Sequence, residues 1–349
     1  MYKIASSFLC FLFLSVGLLP RAVLADDSPH RIFILHSYEK DHVCGKPQSL
    51  GVQRALLKAG FGADDIEIKS YAMDSKRTNN TPELLAQQAD IALGMIREFK
   101  PHILVTLDDN AFRTVALPLV DSDIQIVFSG MNNIPERYNQ QAQWLDSWQA
   151  PGKNITGVYE KIHFSTAVKI QKNIQPEMEK LLIVSDNSPT GKALIRQVKA
   201  EMAVTPLPVK HEIFITDSWE EYQKRIMAAN QDDSDAIYPI ALLLKDAQGS
   251  SYTASEVLTW TGEHSVKPTL PLNFAFVKLG LLGGAGVDFE AMGYQAGEQV
   301  VKILRGENAA NIPLEEAQRY ALVFNLDRAG KLGIDIPSDI LMAADDVYR

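Results

Sequence analysis

Short apolar runs alternate with longer amphipathic stretches along the first half of the chain. The apolar runs lie at residues 31–36, 66–71, 103–107 and 124–128, and the helical patterns lie at 49–59 and 82–99. Uninterrupted runs of Ile, Leu and Val of this length are typical of parallel strands that are covered on both faces. Regular alternation of strands and helices predicts an α/β fold with a doubly wound parallel sheet.

A second series of the same kind follows a Pro–Gly linker at residues 151–154. It has apolar runs at 155–159, 180–185, 209–215, 235–238, 269–274 and 320–324, and helical patterns from 164, 188 and 218, around 247–261 and at 289–304. The glycines at 283–286 indicate a crossing between lobes, where a flexible backbone is useful. The pattern therefore predicts two doubly wound lobes joined by a hinge, with a cleft between them.

The first 25 residues have the pattern of a secretory signal peptide. Lys3 precedes an apolar run at residues 4–19, and modest side chains at 23–25 precede a cleavage site expected after Ala25. No other segment approaches the ~18 uninterrupted apolar residues typical of a membrane-spanning helix. We therefore expect an exported, periplasmic protein.

Composition narrows the classes of partner. The net charge of the whole chain is −9, and loss of Lys3 and Arg21 with the leader makes it more negative. This balance argues against nucleic acid and anionic membranes as partners. Cys44 has no partner for a disulfide once Cys10 is removed, so a fold of this length is expected to stand without one.

The apolar run at 103–107 ends in two carboxylates and an amide, at Asp108, Asp109 and Asn110. In an open α/β sheet, ligands bind outside the carboxyl ends of the strands, where helix N-termini present free N–H groups. These side chains could hold an ammonium or hydroxyl group of a ligand. The alternative is that Asp109 or Asn110 caps the following helix and that one aspartate faces water.

No catalytic constellation is apparent in the sequence. Residues 37–40 spell Ser-x-x-Lys, but the companion motifs of penicillin-binding enzymes are missing. His42-x-Cys44, with His36 nearby, resembles half of a metal site, and structural roles are the better interpretation. We expect no enzyme activity, no cofactor and no metal.

Three stretches resemble a known family. APGKNITGV at 150–158 is similar to a hinge motif, residues 276–297 with 302–307 are similar to a return crossing and helix, and residues 323–346 are similar to a C-terminal signature. The family is that of ABC-transporter substrate-binding proteins with the type I periplasmic binding-protein fold. The resemblance is to the branch with tryptophan- and tyrosine-type binding components and orphan members.

The resemblance implies residues 26–152 plus 285–311 in lobe 1 and residues 153–284 plus 312–349 in lobe 2, with a small molecule enclosed between them. Aspartates would take a cation or hydroxyl, Ser129 and Asn132 a carboxylate or carbonyl, and aromatic rings would stack on a ring or belong to the core. The ligand-facing positions it implies are Ser37, Tyr38, Asp108, Asp109, Asn110, Ser129, Gly130, Met131, Asn132, Asn187, Ser188, Tyr238, Asn273 and Phe274. Residues 239–242 are apolar where many relatives carry a polar contact.

Three functions are compatible with this pattern. The first is a monomeric periplasmic solute-binding component that closes on an amino acid or aromatic compound and delivers it to an inner-membrane ABC permease. The second is a ligand-sensing protein that acts on a membrane sensor, either a histidine kinase or a diguanylate cyclase/phosphodiesterase. The third, an exported enzyme, rests only on the Ser-x-x-Lys spelling and the His42/Cys44 loop.

Overall fold

The computed structural model describes residues 28–349. The signal peptide expected at residues 1–25 lies outside this range. Within it, none of the helices combines the length and apolar character needed to cross a membrane.

The first sheet is built from six parallel strands in the order β2-β1-β3-β4-β5-β12. Their bounds are β1 His30–His36, β2 Ile66–Ala72, β3 Ile103–Leu107, β4 Gln125–Met131, β5 Ile155–Tyr159 and β12 Glu315–Glu316. Successive residues of β1 point into two different cores: Ile32 and Ile34 into one, Phe33 and Leu35 into the other. This alternation is the reason that the strand is apolar throughout.

Helices cover both faces of this sheet. They are α1 Gly45–Lys58, α2 Pro82–Phe99, α3 Asp108–Ala111 and α8 Phe289–Leu304, with a π-turn at Phe112–Ala116 and 3-10 turns at Leu117–Leu119, Pro135–Gln140 and Ala309–Asn311. α2 begins as the sequence predicts, since Thr81 accepts a hydrogen bond from the Leu84 amide and Pro82 occupies the first turn.

Helix α8 crosses α1 at very short range. A Cβ atom added at Gly293 would lie 2.1 Å from the Gln48 carbonyl oxygen, and one added at Gly51 would lie 2.1 Å from the Glu290 carbonyl oxygen. Only glycine leaves room for backbones this close. The crossing fixes the position of Gln48.

The second group of strands is β7-β6-β8, all parallel, followed by β11-β13-β14. The bounds are β6 Lys180–Ser185, β7 Lys210–Ile215, β8 Ala236–Pro239, β11 Gly283–Val287, β13 Tyr320–Asn325 and β14 Asp346–Tyr348, with a hairpin of β9 Leu244–Lys245 and β10 Ser251–Tyr252. The helices are α4 Phe164–Ile174, α5 Pro189–Val204, α6 Trp219–Ala229, α7 Ala254–His264, α9 Leu326–Leu332 and α10 Ser338–Met342, with a 3-10 turn at Phe274–Leu279. The predicted α/β class is confirmed.

Three local predictions are wrong. The apolar run at 269–274 is not a strand, because it makes isolated bridges at Thr269 and Asn273 and continues into the 3-10 turn that begins at Phe274. The helix expected around 247–261 begins only at Ala254, because Thr253 and Glu256 form a capping box there and the preceding residues form the β9–β10 hairpin. The glycines at 283–286 form strand β11, which pairs with β13. A Cβ atom at Gly283 would lie 2.2 Å from the Val323 carbonyl oxygen, so the glycine permits close strand contact rather than flexibility.

Sheet membership also differs from the expected lobe division. Strand β5 (Ile155–Tyr159) was assigned to the second lobe, but it pairs with β4 in the first sheet. Residues 285–287 were assigned to the first lobe, but they belong to β11 in the second group of strands. Residues 315–316 were expected in the second lobe as well, but they form β12, which pairs with β5 in the first sheet. In each case the chain completes a strand before it crosses.

Candidate ligand-binding site

Polar side chains collect where β1, β3, β4 and β5 end. His36 pairs with Leu107, and Leu107 pairs with Ser129, so these strand ends are level with one another. Parallel strands place their carboxyl ends at one edge, where α/β proteins bind ligands. This edge therefore presents Ser37, Tyr38, Asp108, Ser129 and Glu160 together.

Asp108 is the most unusual residue of this edge. It is only 3% exposed and adopts a left-handed backbone conformation with φ of 67°. Its Oδ2 atom has no hydrogen-bond donor within the described residues. Burial raises the pKa of this carboxyl to about 8, because the charged form is poorly solvated there. Strain and missing partners in one residue are typical of functional positions.

Gln48 and Ser129 lie beside Asp108. A Cβ atom at Gly130 would lie 2.8 Å from Gln48 Oε1 and 3.2 Å from Asp108 Oδ1, so both side chains point towards the same space. Both amide atoms of Gln48 and the Ser129 hydroxyl are buried and lack partners in the described part of the chain. Buried polar groups normally have partners, so this cluster needs an explanation outside packing.

Lys76 supplies a positive charge at the same edge. Its Nζ atom lies 4.3 Å from the centre of the Tyr38 ring, a cation–π contact. Glu160 follows β5 and is 2% exposed, and burial followed by the nearby Asp108 raises the pKa of its carboxyl well above the usual range. The site thus combines a cation, an aromatic ring and two buried carboxyl groups.

Unlike Asp108, Asp109 has hydrogen-bond donors for both of its carboxylate oxygens. Oδ2 accepts from the Asn132 amide at 2.8 Å, and Oδ1 accepts from the Tyr138 hydroxyl at 2.5 Å and from the Asn133 side chain at 3.0 Å. The Asn133 amide donates to it as well, at 3.2 Å. Asp109 therefore holds the loop that follows β4.

The expected helix cap is also different. Neither Asp109 nor Asn110 caps α3, whose N-cap position is Leu107. Instead the Ser37 hydroxyl, from the neighbouring strand, accepts from the Ala111 amide at 2.8 Å and donates to the Leu107 carbonyl at 2.6 Å. Asn110 donates to the Ser75 hydroxyl at 2.9 Å. Because Ser37 lies 74 residues before Ala111, the sequence around α3 contains no sign of this cap.

The second group of helices contacts this edge directly. Gln197 of α5 donates to the Asn132 carbonyl at 3.2 Å and to the Glu160 carbonyl at 2.9 Å. Arg196 donates to the Asn133 side chain at 2.6 Å. On the other side, the Asn273 amide lies 3.9 Å from Cys44 Sγ. These contacts join the two parts of the molecule around the cluster.

Several of the positions that were predicted to face a ligand instead cap helical turns, pack in a core or lie exposed on the surface. Ser188 caps α5, Asn187 is exposed, and Asn273 caps the 3-10 turn after it. Phe274 packs with the small cluster around Val323, and Met131 lies in the core of the first sheet. Tyr238 is fully buried against Phe164, with a hydroxyl that lacks a partner among the described residues.

The sequence analysis missed Gln48, Lys76, Glu160 and Gln197. Glu160 directly follows an apolar run, and Lys76 follows the second one within a few residues, so the position after a strand is the signal that would find them. Gln48 and Gln197 lie on helices and have no such signal. Within residues 28–349, no group of three or more His, Cys, Asp or Glu residues has the arrangement of a metal site.

Solved structures with this fold are two-lobed binding proteins. The structure of a domain in complex with L-Trp from Streptococcus pneumonia has a TM-score of 0.69 and 19% identity, covering 92% of this chain and 100% of that chain. The ligand-free, open structure of a substrate binding protein with adhesive properties from Clostridium difficile has a TM-score of 0.66 and 18% identity, covering 91% and 99%. The fold is that of type I periplasmic binding proteins, as predicted.

The family follows from the sequence match over residues 47–348, described as ABC transporter substrate binding protein. The chain belongs to this family, and the resemblance noted from its motifs is confirmed. A tyrosine-binding protein from Clostridioides difficile (strain R20291) is 21% identical over 208 residues. That match covers 59% of this chain and spans only 56% of the relative's length.

Proposed function

We propose that this protein is the exported solute-binding component of an ABC transporter and that it closes on a small molecule for delivery to an inner-membrane permease. The ligand class is an amino acid or an aromatic compound. The observation that carries the proposal is the buried polar cluster at the carboxyl ends of β1, β3, β4 and β5. Its polar atoms lie at the edge where this fold class binds ligands.

The roles of individual residues follow from their surroundings. The Tyr38 ring, which Lys76 and His42 contact, positions the Lys76 ammonium, and this ammonium offers a positive charge for a carboxylate. Ser129 and Gln48 offer hydrogen bonds. Asp108 accepts a donor group. Asp109, Asn110 and Ser188 keep the edge in shape without touching the ligand.

Closure requires crossings between the lobes. We place them at residues 160–163, at Asp288 and at 317–319, directly after the strands that complete each sheet. Arg196 and Gln197 then hold the closed form through Asn133, Asn132 and Glu160. The family match supports delivery to a permease over the sensing role, and the protein acts as a monomer.

The test is native mass spectrometry of the protein purified without denaturation, with small-angle scattering before and after added L-tyrosine, L-tryptophan and benzoate. A bound mass that is lost on unfolding, together with a smaller radius of gyration, is the expected result. A ligand at 100 times its dissociation constant also adds about 2.7 kcal/mol to the free energy of unfolding.

A matched pair of variants separates the site from the rest of the surface. Ser129→Ala is expected to weaken binding, whereas Asp64→Asn, at an exposed position in the turn before β2, is expected to leave it unchanged. Saturating binding without any change in lobe separation would contradict the closing clamp.

A further inference from the structure

Two buried carboxyl groups at the site lack a basic partner. Asp108 is 3% exposed and Glu160 is 2% exposed. Among residues 28–349, none of the ion pairs involves either residue or Lys76. A carboxylate away from water is costly unless a positive group or several donors compensate it.

The protein supplies only part of this compensation. Lys76 reduces the cost of ionising both groups through space, but its ammonium lies over the Tyr38 ring. Asp109 has four donors from the loop after β4, whereas Asp108 Oδ2 has none within the described residues. Gln48 converges with Asp108 on the space beside Gly130 and lies close enough to favour the ionised carboxyl, although neither of its amide atoms has a hydrogen bond of ordinary geometry within the described residues.

We propose that Asp108 and Glu160 form a subsite for a cationic group, with Gln48 beside it, so that the bound molecule carries an ammonium, amidinium or guanidinium group. This inference rests on the proposed function and narrows its ligand class. An aromatic acid without a positive group does not meet this requirement.

Proton release is the measurable consequence. A cation beside Asp108 favours the ionised carboxyl, and burial raises the pKa of this group to about 8 without it. Binding of a cation therefore releases a proton below pH 8, and the affinity rises with pH by up to about tenfold per pH unit for each proton. A neutral molecule that accepts a hydrogen bond from the protonated carboxyl shows the opposite trend.

The other titratable groups around Asp108, apart from Glu160, do not account for an affinity that rises with pH. Those facing it are Asp109 on its own helix, Lys76 from the β2–α2 loop, Glu160 after β5, Tyr38 after β1 and Cys44 before α1. Burial raises the pKa of the Tyr38 hydroxyl and of the Cys44 thiol, so both stay neutral. Burial lowers the pKa of His36 to about 4 and that of His42 to about 3, so both imidazoles are neutral as well. Glu160 acts in the same direction as Asp108.

The experiment uses calorimetry and thermal shift with matched probes between pH 5.5 and 8. Tryptamine, tyramine, agmatine, L-tryptophan and L-tyrosine carry a cationic group, whereas indole-3-propionate and 3-(4-hydroxyphenyl)propionate lack it. We expect binding by at least one cationic probe, affinity that increases with pH, and proton release that is seen by comparing two buffers of different ionisation enthalpy.

Variants of the two carboxyl groups test whether they bind the cation and release the proton. Asp108→Asn and Glu160→Gln are each expected to weaken the binding of the cationic probe by roughly tenfold or more and to reduce the number of protons released on binding. Asparagine tolerates the left-handed conformation at position 108, so the fold should persist. Asp64→Asn, in the exposed turn before β2, is the control and should bind normally.

The outcomes separate this inference from the proposed function. Binding by the two propionates alone, or a cationic probe bound equally well by Asp108→Asn with the same pH slope, would overturn the cation subsite and leave the clamp intact. Absence of binding by every probe, together with no ligand mass in the native protein, would count against both.

Discussion

The carboxyl-end edges of the two parts of the molecule differ in how their polar groups are satisfied. In the first sheet, Asp108 Oδ2 and the Ser129 hydroxyl are buried without partners in the described chain. In the second, Asp186 is equally buried, but its carboxylate accepts from the Ser188 hydroxyl at 2.5 Å and from the Leu243 amide at 2.8 Å. The first edge therefore has buried polar atoms that the protein leaves unsatisfied, whereas the Asp186 carboxylate at the second edge is satisfied within the protein.

The same contrast exists between neighbours in sequence. Asp108 and Asp109 are consecutive, yet one is strained and lacks a partner for Oδ2 whereas the other has four donors. Identical side chains therefore carry different roles, and variants of the two should have opposite effects on stability.

The largest effect is expected for Asp109→Ala. It leaves the Asn132 and Asn133 amides, the Asn133 side chain and the Tyr138 hydroxyl without their acceptor, which should lower the free energy of unfolding by about 3–5 kcal/mol. Urea unfolding measures this. A loss below about 1 kcal/mol would show that water replaces the carboxylate, and the assignment of Asp109 as the anchor of the loop would then be wrong.

Asp108→Asn should have the opposite sign in the ligand-free protein. Because burial raises the pKa of Asp108 to about 8, the folded protein binds more protons than the unfolded chain between about pH 4 and pH 8. Stability of the natural protein therefore decreases as the pH rises through this range.

The Asp108→Asn variant has no carboxyl group to ionise at this position, so it does not lose stability as the pH rises. It should be more stable than the natural protein by about 2–4 kcal/mol at pH 7, and this difference should disappear near pH 4. Thermal unfolding across the pH range measures both values. Parallel stability profiles for the two proteins would contradict the strong burial of the Asp108 carboxyl.

A smaller effect is expected for Gln197→Ala. It removes the hydrogen bonds from α5 to the Asn132 and Glu160 carbonyls and should cost about 1 kcal/mol in the closed form. Ligand affinity should decrease by roughly fivefold, with little change in the unfolding of the open protein. Lys224→Ala on α6 is the matched control. Equal losses in both variants would argue against a specific contact between the lobes.

The sequence predicted the order of strands and helices because apolar periodicity is a local property. It also placed Tyr38, Asp108 and Ser129 at one edge, since parallel strands of this topology end together. It could not separate Asp108 from Asp109, because the donors to Asp109 come from residues 132–138 and depend on how that loop folds back. The cap by Ser37 and the position of Gln48 depend in the same way on distant packing.

The discontinuous construction of the first sheet has a consequence for folding order. Helix α8 and strand β12 lie near the end of the chain, yet α1 packs on α8 through Gly51 and Gly293, and β12 completes the sheet beside β5. Contacts over such separations form slowly, since long loops must close first. A nascent chain that ends before residue 289 therefore leaves one face of its N-terminal half uncovered, and stable folding awaits synthesis of nearly the whole polypeptide.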